Sequence, residues 1–146
     1  TELATRFRDA LKQAETRLRA IPADDGAKPY REGGWLRKEL LGHLLDSATN
    51  NRLRFMLAAV DGHFTGAPYD QEAWVRLNGY RAAEWSWLVE AWVSANGRLA
   101  LLVENIPEAA LSAPCTIGSA EPVTLEFLIN DYLRHLRHHL DALERR

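Results

Sequence analysis

Residues 132–139 read YLRHLRHH, within a stretch whose apolar residues recur at helical spacing. This segment holds three of the five histidines of the chain, His135, His138 and His139. His135 and His139 are four residues apart, so on an α-helix their side chains lie on one face, one turn from each other. Two imidazoles in this arrangement can bind one divalent metal ion, and a third ligand must then come from another part of the chain.

His43 is the best candidate for that third ligand. It lies in a second stretch of helical periodicity, 35–60, on a narrow strip beside the apolar face that also carries Ser47 and Asn50. Taken alone, a histidine in such a position is more often a hydrogen-bonded core residue than a metal ligand. Three neutral imidazoles with a free fourth position are typical of a catalytic site, and imidazole suits Zn²⁺ or Ni²⁺.

A helical wheel separates inward-facing from solvated histidines. At about 100° per residue, His135 and His139 border the apolar face of the last helical stretch, whereas His138 points towards its polar side. We expect His138 to be solvated, and His63, in a loop, to have no functional partner. Spacing alone leaves open the alternative that the three C-terminal histidines only decorate a surface.

Two acidic side chains are placed to hold the second ring nitrogen of a ligand, as metal-binding histidines usually require. Asp46 lies three residues after His43, and Asp131 lies four residues before His135, although each is more simply read as a surface acid. Cys115 has no neighbouring base in the sequence and is not favoured as a nucleophile. We expect four tryptophans to lie in the core or at an interface, and one or two of them to line the wall of the site. They are Trp74, Trp85, Trp87 and Trp92.

Apolar periodicity predicts four long helices and a short one. The predicted helical stretches are 2–20, 35–60, 70–77, 82–105 and 124–143. Asp70 and Thr124 are the expected N-cap residues of the third and fifth stretches. The segment 115–117 is the one candidate strand, and a single short run does not form a sheet. The pattern predicts one domain over 1–146, an all-α four-helix bundle with one short extra helix.

The bulk composition argues against several classes of function. The chain has 146 residues, of which 47% are hydrophobic and 26% charged, with a formal net charge of −2. Without a basic excess we expect no nucleic-acid partner, and no apolar run approaches the roughly 20 residues that span a membrane. The single cysteine and the absence of a visible signal peptide favour a soluble protein of the cytoplasm.

Three motifs in this order resemble those of the DinB-like proteins, most closely the YfiT-like branch, whose members are named as metal-dependent hydrolases. Residues 35–47, WLRKELLGHLLDS, are similar to the family signature W-s-x-x-E-x-x-x-H-L-x-D-s. The run YDQEAW at 69–74 and the pattern D-Y-x-x-H-x-x-x-H at 131–139 also look like that branch. Each motif alone is weak, whereas their order and spacing together are fairly specific.

The resemblance implies a bundle of up-down-down-up connectivity and a metal held by three histidines, which correspond here to His43, His135 and His139. Members of this family are often homodimers, and several use low-molecular-weight thiols as S-transferases or isomerases. One departure is Leu36, because the family usually has a capping Ser or Thr at this position. We therefore expect a looser start to the second helix.

Two classes of function are consistent with these features. The first is a metal-dependent enzyme acting on a small molecule, either a hydrolase that uses a water of lowered pKa or a thiol S-transferase, with the resemblance favouring thiol transfer. The second is a non-catalytic metal- or ligand-binding bundle, for instance a stress-associated module. A weaker third is a dimeric interaction protein with accidental histidines. A cleft lined by aromatic and polar groups over the site would favour the enzyme.

Overall fold

Four long helices form a bundle in the computed structural model, which describes residues 1–31 and 34–145. The helices are α1 (Glu2–Arg19), α2 (Ala23–Gly26), α3 (Arg37–Asp61), α4 (Gln71–Asn78), α5 (Trp85–Asn105) and α6 (Leu125–Glu144). The long helices α1 and α3 each pack against both α5 and α6. The predicted all-α four-helix bundle is confirmed, and α4 is the short extra helix. The single turn α2 lies outside the predicted helical stretches.

Ion pairs along α1 give the directions of its two neighbours. Arg17, near the end of α1, pairs with Glu144 at the end of α6, so these two helices run in the same direction. Arg19, also at the end of α1, pairs with Glu90 near the start of α5, so α5 runs in the opposite direction.

The direction of α3 follows from its contact with α6. His43, in the second turn of α3, lies against His139, in the last third of α6. The two helices are therefore antiparallel, and the four long helices run up, down, down and up along the chain. This is the connectivity that the family resemblance implied, and it brings the start of α3 and the end of α6 to one end of the bundle.

Side-chain caps start the two helices for which the sequence predicted them. The carboxylate of Asp70 accepts a hydrogen bond from the backbone N–H of Ala73 at 3.0 Å, at the start of α4. The hydroxyl of Thr124 accepts one from the backbone N–H of Phe127 at 3.0 Å, at the start of α6. Each bond satisfies one of the backbone donors that a helix start leaves free, so both predicted N-caps are confirmed.

The start of α3 is stabilised by a side chain in its first turn and not by the side chain of its N-cap residue. Leu36 offers no side-chain cap, but its backbone N–H donates to the carboxylate of Glu39 at 3.0 Å, which is one half of a capping box. Arg81 also pairs with Glu39 at 3.2 Å. The expectation of a loose helix start is therefore wrong, because an acid three residues into the helix replaces the missing hydroxyl.

A small three-stranded sheet packs against α3 and α6. Strands β1 (Phe64–Gly66), β2 (Pro114–Ile117) and β3 (Val123–Thr124) form it in that order, with β1 parallel to β2 and β2 antiparallel to β3. The expectation that 115–117 makes no sheet is wrong. Two further short strands, one of them about fifty residues earlier in the sequence, supply the partners that the single run lacked.

The second half of α3 buries one face. Phe55 and Ala58 are fully buried, whereas Leu53 and Leu57 are 52% and 38% exposed. At about 100° per residue, these two leucines lie 140° and 180° from the buried Ala48, which explains their exposure.

Within 1–31 and 34–145, no helix is both long enough and apolar enough to cross a membrane.

Candidate metal centre

The antiparallel packing of α3 and α6 brings the three predicted ligands to one end of the bundle. The ring centroid of His43 lies 5.1 Å from that of His139, and the two rings are nearly perpendicular. The ring centroids of His135 and His139, one turn apart on α6, are separated by 6.3 Å. The ring of His139 therefore neighbours both other rings, and a metal site formed by the three histidines stays a prediction.

Burial keeps the two inner imidazoles neutral. His43 is only 5% exposed, and burial, with a smaller contribution from His135, lowers its pKa to about 4. The pKa of His139 is also lowered to about 4, mainly by burial and then by the neighbouring His43, His138 and His135. Neutral imidazole is the form that binds metals, so both rings are in the required protonation state at neutral pH.

The nitrogen atoms of the site are only partly engaged by protein groups. Nδ1 of His43 is buried without a hydrogen-bond partner. Nε2 of His135 lies 3.6 Å from a carboxylate oxygen of Asp131, which is beyond hydrogen-bond distance, and Arg134 is the closer partner of that carboxylate at 2.6 Å. Asp131 is thus near His135 without a hydrogen bond to it, whereas the orphaned buried nitrogen on His43 is compatible with a ligand role.

The side chains are not arranged as a closed metal shell in this structure. Among residues 1–31 and 34–145, no three or more His, Cys, Asp or Glu side chains form a group that could hold a metal ion as they are oriented. The side chain of His135 is 56% exposed, while the rings of His43 and His139 are packed in the interior of the site. His135 is therefore the ligand candidate with the most freedom to rotate.

Asp46 has a different role from the one suggested by its position in the sequence. It is 5% exposed, and its carboxylate accepts hydrogen bonds from the phenol of Tyr80 and, at 3.1 Å, from the amide of Asn78. Burial raises its pKa, and these two hydrogen bonds oppose that effect. Asp46 is neither a surface acid nor the partner of His43, since it instead ties α3 to the segment that follows α4.

Two cavities meet at the histidines. The smaller one, of about 140 Å³, contains His43, His135 and His139 in its wall. Its other lining residues are mostly polar or aromatic and include Ser47, Asn51, Arg54, Tyr69, Gln71 and Asp131. The larger one, a cleft of about 940 Å³, shares His43 and His139 with the smaller cavity and also has His138, Trp35 and Arg76 in its wall.

Aromatic side chains contribute to the site as expected, but through different residues. The ring centroid of Trp35 lies 5.6 Å from that of His43, so Trp35 lines the wall of the site. The sequence predicted other tryptophans in this position. Trp74 packs on Tyr69, at 4.3 Å between ring centroids, and thereby supports the smaller cavity indirectly. Trp85 and Trp92 are buried in the core, as predicted. Trp35 begins the family-like signature, and this was the signal available in the sequence.

The remaining candidates behave as the sequence suggested. His138 is exposed and touches only the edge of the site, with its ring centroid 5.3 Å from that of His139. His63 is exposed in the segment after α3. Cys115 is fully buried in β2, and burial raises the pKa of its thiol, which opposes a role as nucleophile.

Comparison with known proteins places the chain in a family. A family model of the DinB superfamily matches residues 6–143, which is nearly the whole chain. The chain therefore belongs to the DinB superfamily.

Its relatives include YfiT of Bacillus subtilis (strain 168), named as a proposed metal-dependent hydrolase, which is 30% identical over 116 residues. That alignment covers 77% of this chain and 64% of YfiT, so this chain spans less than two thirds of the length of that relative. A protein of Bacillus licheniformis that carries the same description is 29% identical over 89% of this chain and 77% of its own length.

Solved structures show the same fold. The structure of YfiT, described as having an unusual four-helix bundle topology, superposes with a TM-score of 0.85 at 24% identity, covering 98% of this chain and 85% of that chain. A mycothiol-dependent maleylpyruvate isomerase superposes with a TM-score of 0.81 at 16% identity, covering 99% of this chain and 60% of the isomerase.

Proposed function

We infer that the protein binds one divalent metal ion through His43, His135 and His139. The observation that carries this inference is the packing of His43 against His139, 5.1 Å between ring centroids, with a buried nitrogen on His43 that has no protein partner. Rotation of the exposed His135 ring towards the other two would complete a three-histidine set. Zn²⁺ and Ni²⁺ both suit such a set.

The chain's own residues favour a catalytic site over a closed structural one. Three protein ligands leave a coordination position free, and the smaller cavity lies beside them with polar and aromatic walls. Asp131 would orient His135 through the second ring nitrogen, and Trp35 would pack against His43 and exclude water from that side. A divalent metal bound there would supply Lewis-acid chemistry to a water molecule or a thiol.

The function that this arrangement supports best is that of a metal-dependent enzyme acting on a small molecule. Thiol S-transfer is the preferred reaction, because a structure of the same fold is mycothiol-dependent and no side chain of the site stands out as a general base for hydrolysis. Hydrolysis is the second candidate, since the Bacillus relatives are named for it.

Metal content and thiol dependence test this proposal. Protein purified without a histidine tag should contain about one equivalent of Zn²⁺ or Ni²⁺ per chain by plasma mass spectrometry, and His43→Ala should lose it. The matched control is His138→Ala, which removes a neighbouring exposed imidazole and should retain the metal. Equal metal content in both variants would contradict the proposed ligands.

A second experiment separates an enzyme from a metal-binding module. The metal-loaded protein is screened with mycothiol, bacillithiol and glutathione against simple electrophiles, and the His43→Ala protein serves as the blank. Turnover that needs both metal and one thiol supports S-transfer. Turnover of an ester without any thiol supports hydrolysis. Stoichiometric metal without turnover in either assay favours the binding module.

A further inference from the structure

Arg54 lies in the wall of the smaller cavity, together with the three histidines. It is on α3, about three turns after His43, and its side chain is partly buried. One guanidinium nitrogen, Nη2, donates to the backbone oxygen of Ala67 at 3.3 Å, a long contact that holds the side chain against the segment after β1. Arg54 therefore borders the same small cavity as the proposed metal ligands.

No carboxylate within 1–31 and 34–145 is an electrostatic partner of Arg54. Burial lowers its pKa, and the only group that opposes this effect is the phenol of Tyr69. By contrast, Arg17 pairs with Glu144, and Arg81 pairs with Glu39. A guanidinium keeps its charge in proteins, and a partly buried charge without a counter-ion is costly, so the cavity is prepared for an anion.

The other groups of the cavity do not supply that anion. The phenol of Tyr69 has its pKa raised to about 12, mainly by burial, and is neutral at physiological pH. The carboxylate of Asp131 is engaged by Arg134 at 2.6 Å. Neutral imidazoles do not offset the charge of a divalent ion, so metal binding would add to the positive charge already present at Arg54.

We propose that Arg54 binds a carboxylate of the small molecule that occupies the free coordination position, and so selects acidic ligands. This rests on the proposed function, because the ligand is held at two points of one cavity, the metal and the guanidinium. The planar guanidinium can form two parallel hydrogen bonds to a carboxylate, which fixes the orientation of the ligand as well as its charge.

Two thiols of matched length test the proposal by their binding to the Co²⁺-loaded full chain. 3-Mercaptopropionate carries a carboxylate where 3-mercapto-1-propanol carries a hydroxymethyl group, and the charge-transfer absorption between thiolate and Co²⁺ reports the binding of both. Arg54→Gln should weaken binding of 3-mercaptopropionate by about 10- to 100-fold, the effect of a charge-assisted hydrogen bond. Binding of 3-mercapto-1-propanol should change by less than about twofold, within the scatter expected for a neutral change nearby.

The control is Arg76→Gln, which removes the same charge from the larger cleft, outside the smaller cavity, and should leave both affinities unchanged. Equal weakening of both thiols in Arg54→Gln, or loss of the carboxylate preference in Arg76→Gln, would overturn the role of Arg54. Absence of the visible Co²⁺ spectrum in the wild-type protein would instead overturn the metal site itself, and with it this inference.

Discussion

Gly42, immediately before His43, is expected to tolerate no side chain, and this can be tested against a matched glycine. A Cβ added at Gly42 would overlap the ring of Tyr80, whose hydroxyl donates to the buried carboxylate of Asp46. A Cβ at Gly97, exposed in the middle of α5, would meet no atom within 4 Å. Both glycines are inside long helices, so the same substitution to alanine has the same intrinsic benefit at each.

The expected changes in stability have opposite signs. Gly97→Ala should stabilise the protein by about 0.5–1 kcal/mol through helix propensity alone. Gly42→Ala gains the same term but forces the Tyr80 ring to move, which costs about 1–3 kcal/mol for overpacking and about 1.5–3 kcal/mol for the hydrogen bond to Asp46. The net effect is a loss of about 1.5–5.5 kcal/mol.

Urea denaturation of the metal-free proteins measures both changes, with tryptophan fluorescence as the signal. At a typical urea slope, Gly42→Ala should lower the midpoint by about 1 M or more, and Gly97→Ala should raise it slightly. If Gly42→Ala were as stable as the wild-type protein, the Tyr80 ring would not pack against Gly42 as the structure shows. The contact of Tyr80 with the helix turn that carries His43 would then be refuted as well.

Three further predictions address protonation, capping and burial. Because burial lowers the pKa of His43 to about 4 from 6.5, its stabilising effect is complete above pH 6.5 and is lost as the pH falls through 4. In the metal-free state, the stability difference between wild type and His43→Leu should fall by about 3 kcal/mol over that window, measured by urea denaturation; a constant difference would contradict the burial of His43. Thr124→Ala removes the N-cap of α6 and should cost about 1 kcal/mol in the same assay, whereas no loss would show that the cap is not formed in solution. Cys115 should react with a thiol reagent at pH 8 only after unfolding, and rapid labelling of the native protein would refute its burial in β2.

The ligand candidates could be predicted from the sequence because their spacing is local. The i, i+4 relation of His135 and His139 depends only on helix geometry, and the wheel placed both beside the apolar face. That His43 reaches them requires an antiparallel arrangement of α3 and α6, which periodicity does not give. The family resemblance supplied that expectation, since it implied that His43, His135 and His139 correspond to metal ligands of the family.

The features that were missed depend on partners far away in the chain. Asp46 is buried because Asn78 and Tyr80, more than thirty residues later, donate hydrogen bonds to it. Strands of two to four residues are too short for their periodicity to be recognised. In addition, β1 and β2 pair in parallel although helices separate them in the sequence, and no local pattern indicates such a pairing. Arg54 carries no motif at all, and only its cavity distinguishes it from an ordinary helix-surface arginine.

The most direct test of the central claim is an anomalous difference map from a crystal of the zinc-loaded, tag-free protein, measured on both sides of the zinc edge. We expect one peak per chain, about 2.0–2.1 Å from a ring nitrogen of each of His43, His135 and His139, with the ring of His135 turned towards the other two. A peak held by His138 without His43, or no peak at this end of the bundle, would contradict it.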